Sequence, residues 1–79
     1  MVVIRNIEKN GEIVEFDYYP ENEKENGHIK YNYETKSIIS QIKSEYDLAM
    51  DYAGHSIIAV ERVIEQNKEF PTELVEMWY

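Results

Sequence analysis

Asp47, Asp51 and His55 stand at i, i+4 and i+8. On a helix that spacing lines two carboxylates and an imidazole along one stripe. Such a set could ligate a divalent cation, because Asp and His are ordinary zinc and manganese ligands. The plainer reading is a solvated face with an Asp51–His55 hydrogen bond. A metal-binding protein or small enzyme built on this stripe is therefore kept as the alternative.

Other catalytic chemistry has little to draw on. The chain has no Cys, and Ser37, Ser40, Ser44 and Ser56 lack the glycine-flanked elbow of a nucleophilic serine. His28 and His55 are not spaced to serve any of them as a base. No glycine-rich nucleotide loop and no HExxH motif occurs. Carboxylate pairs are uninformative among sixteen acids, and a chain of 79 residues offers little room for a cleft around one. These absences predict a protein that is not an enzyme and needs no cofactor.

Binding chemistry has better candidates. Gly54 falls within a helical pattern, where it costs roughly 1 kcal/mol relative to Ala. Ile58, four residues on, projects away from the apolar face among Asp51, Arg62 and Glu65. Together they read as a seam for a partner or a second copy: Gly54 permits close approach and Ile58 inserts. Seven Tyr is a high count. Tyr18, Tyr31 and Tyr33 are expected on the inner face of a sheet. Tyr19 and Tyr79 are the two assigned to partner contact.

Sixteen acids against eight Lys and Arg leave a net charge of -8. That charge opposes phosphate binding, so no nucleic acid is expected, and the sheet aromatics lack the basic groove of a stacking platform. The same field would steer the chain toward basic proteins, as an acidic inhibitor or decoy would be steered. No run is apolar enough for a membrane span or a signal peptide, so a cytoplasmic location is the default. High Lys, Glu, Asn, Ile and Tyr usage points to an AT-rich bacterial or phage genome.

These groups must be positioned by a single small domain, residues 1–79. Size scaling gives about 5,000 Å² of folded surface and one thin core. Val2 to Glu8 and Glu12 to Tyr19 carry β-branched and aromatic residues around Asn10-Gly11, a hairpin signal. A bulge with Gly11 at positive φ would set Arg5 opposite Glu15 and Ile4 opposite Phe16, giving an apolar face of Val2, Ile4, Val14, Phe16 and Tyr18. A polar loop from Pro20 to Gly27 leads to a third strand around Ile29, Tyr31 and Tyr33. A fourth spans Ile38 to Lys43, with Ile38 and Ile42 on one face. Ser44 as N-cap and Asp47 three residues on predict a helix of about six turns, ended by Asn67 and Pro71. Ala49, Ala53, Ile57, Val60 and Ile64 would be its inner side. Thr72 to Tyr79 reads as a helical turn with Trp78 packing back. The predicted fold is α+β, a four-stranded antiparallel meander with one long helix on one face and a short C-terminal element.

Overall fold

A computed structural model of the chain describes residues 1–49 and 51–78. Five strands and one helix follow in the order β1 (Val2–Asn10), β2 (Ile13–Pro20), β3 (Gly27–Asn32), β4 (Ser37–Ile42), α1 (Asp51–Glu65) and β5 (Glu73–Glu76). The architecture is α+β: an antiparallel meander of four strands, extended by a short fifth, with the helix packed on one face. The accessible surface is 4969 Å². Among the described residues no helix is long and apolar enough to cross a membrane.

The first hairpin closes by a two-residue turn, with Asn10 opposite Ile13 and Glu8 opposite Glu15. Gly11 occupies the first central position at φ 63°, which suits a hairpin turn that needs a glycine there. Continued without a break, this ladder would set Ile4 opposite Tyr19 and turn Val2 and Ile4 outward. A bulge prevents that. Asn6 and Ile7 together face Phe16, Asn6 sits at φ 57°, and beyond it Arg5 pairs with Asp17 and Ile4 with Tyr18. The expected Arg5–Glu15 pairing is therefore wrong by two residues. Because two is even, Val2 to Arg5 keep their expected faces, and Val2, Ile4, Val14, Phe16 and Tyr18 are all fully buried. Between the bulge and the turn the faces are exchanged: Lys9 lies opposite inward Val14, Glu8 opposite outward Glu15, and Ile7 packs against the core.

A second bulge lies in β4. Ser40 pairs with Lys30 and Ile38 with Tyr31, leaving Ile39 as the extra residue. Ile38 thus shares the inner face with Tyr31, whereas Ile42, opposite His28, lies on the outer one. The expectation that both point the same way fails for this reason.

The helix is shorter than expected, 15 residues from Asp51. Ser44 and Asp47 do not begin it; they are buried in the preceding loop. Asp47 Oδ1 accepts from Tyr52 N–H at 3.2 Å, and Oδ2 accepts from Ala53 N–H at 3.0 Å and from the Tyr18 hydroxyl at 2.9 Å. The carboxylate still serves the orphan amides of the helix start, but from outside the helix. Ala49 is consequently exposed and off the helix. Ala53, Ser56, Ala59 and Val60 form the buried stripe, small side chains that let α1 approach the sheet rings. Asn67 ends the helix as expected, at φ 55°. Its N–H donates to Ile64 C=O and the next N–H, of Lys68, to Val63 C=O, which closes the last turn.

The C-terminal element is a strand, not a helical turn. β5 pairs with β1, setting Leu74 opposite Ile4 and Val75 opposite Val3. An open edge of β1 offers a ladder that an isolated helical turn cannot match. Trp78 does pack back: it stacks on His55 with ring centroids 3.9 Å apart and meets Tyr52 edge-on.

Candidate functional site

The outer stripe of α1 stands clear of the core. A Cβ added at Gly54 would meet nothing within 4 Å, and Ile58 is 49% exposed. The helix phase that separates them from Ala53, Ser56 and Val60 is the one the apolar periodicity gave. Tyr19 lies on the outer face of β2, half-buried, with the Arg5 guanidinium 4.7 Å from its ring centroid. Arg5 also donates to Glu73 and Asn22, so Tyr19 belongs to a polar cluster tying β1, β5 and the β2–β3 loop. Tyr79 lies outside the described residues.

The stripe of Asp47, Asp51 and His55 is not assembled. Asp47 lies before the helix and is committed to Tyr18, Tyr52 and Ala53, Asp51 is exposed at the helix start, and His55 stacks on Trp78. Among the described residues no group of three or more His, Asp and Glu is arranged to hold a metal ion.

Sequence reasoning missed a relay on the outer sheet face. His28 Nδ1 donates to Asp17 and Nε2 to Glu15, each at 2.7 Å, while Asp17 accepts at its other oxygen from Asn6 Nδ2, also at 2.7 Å. Two carboxylates claim both ring nitrogens, so the imidazolium is the form that satisfies them. Asp17 first and Glu15 second raise the His28 pKa above its ordinary value, against a smaller opposing effect of burial. The two carboxylates flank the ring on opposite sides and do not converge. The pairing Asp17↔His28 would have disclosed this relay, but only with the register known.

It also missed the apolar surface of β4. Ile38, Ile39 and Ile42 are 45%, 51% and 68% exposed, and the loop beyond adds exposed Tyr46 and Leu48. The helix packs over β1, β2 and β5. The strand itself, Ser37–Ile42, carries no charge. By contrast β5, the other edge, is four residues long and carries Glu73 and Glu76, paired with Arg5 and Arg62. Short length and charge are the usual protection of an edge, and β4 lacks the charge.

Compared with protein-family models, curated proteins and solved structures, the chain matches none.

Proposed function

We propose that this protein is a non-enzymatic interaction module that binds a basic protein partner through β4 and the loop after it. One observation carries the reading. Of the eight large apolar residues exposed among those described, five fall between Ile38 and Leu48: three on a strand without charge and two in the loop after it, in a chain of net -8. A patch of this kind, set in an acidic surface, suits a partner with an apolar contact region inside a positive surround. Burying an isoleucine fully contributes roughly 1.5–3 kcal/mol, so three supply enough to outweigh a modest ordering cost. The bulge at Ile39 interrupts the outward row of main-chain groups, which favours side-chain burial over addition of a strand.

A second copy of the chain is the poorer occupant. Two bodies of net -8 repel each other, and antiparallel self-pairing of β4 brings Lys36 of one copy toward Lys43 of the other. An acidic inhibitor or decoy of a basic protein is the specific form that fits. The Gly54–Ile58 stripe is the second reading, favoured by the open space at Gly54.

The test is capture on the immobilised protein from an extract of its own host. The expected result is retention of a basic protein whose association slows steeply as salt is raised. Retention indifferent to salt removes charge from the mechanism, and retention of a second copy alone replaces the reading with self-association.

A further inference from the structure

A groove of about 580 Å³ opens between the tip of the first hairpin and the C-terminal end of α1. Its apolar lining is Tyr33, Ile64 and Phe70, all partly buried and packed against the core. Lys9, Lys68, Asn67 and one acid, Glu69, complete its lining. Two of the chain's eight Lys and Arg thus line one groove beside apolar residues, in a molecule with twice as many acids.

The lining is also placed. Lys9 Nζ stands 5.2 Å from the centroid of the Tyr33 ring, and the Tyr33 hydroxyl donates to Gly11 C=O at 3.1 Å, which holds the ring against the hairpin tip. A helix C-terminus would ordinarily oppose an anion. Here the Asn67 and Lys68 amides occupy the Ile64 and Val63 carbonyls, so two of the last acceptors are already taken.

We propose that this groove binds a monoanionic carboxylate carrying a flat or branched apolar body. The body lies on Tyr33, Ile64 and Phe70, and the carboxylate lies between Lys9 and Lys68. Glu69 sets the limit of one charge, because a dianion would meet its repulsion. The size falls within the range of ordinary small-ligand sites. Two sources supply this chemistry: a free aromatic acid, and the C-terminal carboxylate of a peptide ending in a bulky apolar residue. The site lies apart from the β4 surface and does not depend on it.

The experiment is an NMR titration of the isotope-labelled protein with 3-phenylpropionate and with N-acetylphenylalanine, each as acid and as amide. The acids are expected to shift Lys9, Tyr33, Lys68 and Phe70 at about 10 mM probe, where a ligand of millimolar Kd fills most sites. The amides are expected to bind several-fold more weakly. Lys9→Met and Lys68→Met, both at exposed positions that keep the aliphatic stem, should each weaken the acid by about three- to fivefold. N-acetylphenylalanine binding better than 3-phenylpropionate assigns the groove to peptide C-termini, and the reverse to free acids. Equal binding of acid and amide, or shifts confined to other residues, overturns the proposal.

Discussion

Asn6 donates its side-chain amide to Asp17 across the first hairpin from a left-handed backbone, and this pair decides which face of β1 meets the helix. The bulge it marks is a single extra residue between a turn and a core. Without it Val2 and Ile4 would face outward. Asn is among the few residues that adopt this conformation readily. Asn6→Ala is expected to cost about 1–2 kcal/mol, as an alanine is forced to positive φ and the bond to Asp17 is lost. Asn6→Gly should cost less, since glycine recovers the backbone and loses only the bond. Urea denaturation of the two variants reads the difference. Equal losses would mean that the side-chain bond, not the backbone, holds the bulge.

His28 gives the fold a dependence on pH whose sign is fixed. Its pKa is raised in the folded chain, so its stabilising contribution is complete below about pH 6.5 and is lost as pH rises through the higher folded value. The charged groups facing it are Asp17 and Glu15 on β2, with Lys30 beside it on β3 and Arg5 on β1. Stability of the unaltered chain should fall between pH 6.5 and 9 relative to His28→Asn, which keeps every other titrating group. Parallel curves for the two proteins would exclude the relay as the source.

Tyr18, Gly27 and Asp47 form one buried joint. The Tyr18 ring lies where a Cβ on Gly27 would be, and its hydroxyl donates to Asp47 and accepts from Ser44 N–H. Gly27→Ala is expected to cost about 1–3 kcal/mol through overpacking. Asp47→Ala, which strands three donors, should cost about 2 kcal/mol or more and loosen the start of α1. Burial pushes the Tyr18 pKa up to about 12. Following the phenol absorbance with pH should therefore show a tyrosine that ionises late, only as the fold opens.

The sequence disclosed what periodicity and turn chemistry determine locally. The inward alternation of Val14, Phe16 and Tyr18, the stop at Asn67 and the outward aim of Ile58 all follow from spacing alone. The bulges at Asn6 and Ile39 were hidden, since each is set by pairing with a distant strand and leaves no local mark beyond an Asn. Ser44 and Asp47 carried a helix-start pattern, and the chain uses both for capping and loop anchoring before the helix begins. The strand at Glu73–Glu76 exists because β1 has an edge to offer, a tertiary fact that propensity cannot hold. The β4 surface was hidden with them, since its exposure depends on where the helix comes to lie.

The most direct measurement of the interaction surface compares three proteins in the same capture experiment: the unaltered chain, Ile39→Ser with Ile42→Ser, and Ile58→Asp with Gly54→Leu. All the altered positions are exposed, so each variant should keep the fold, which circular dichroism and thermal unfolding check. The first pair removes apolar surface from β4 without changing the charge. The unaltered chain and the helix variant are expected to retain the same basic protein, and the β4 variant to lose it by tenfold or more, which corresponds to about 1.4 kcal/mol. Undiminished binding by the β4 variant, with loss in the helix variant, would contradict the account and move the interface to Gly54 and Ile58.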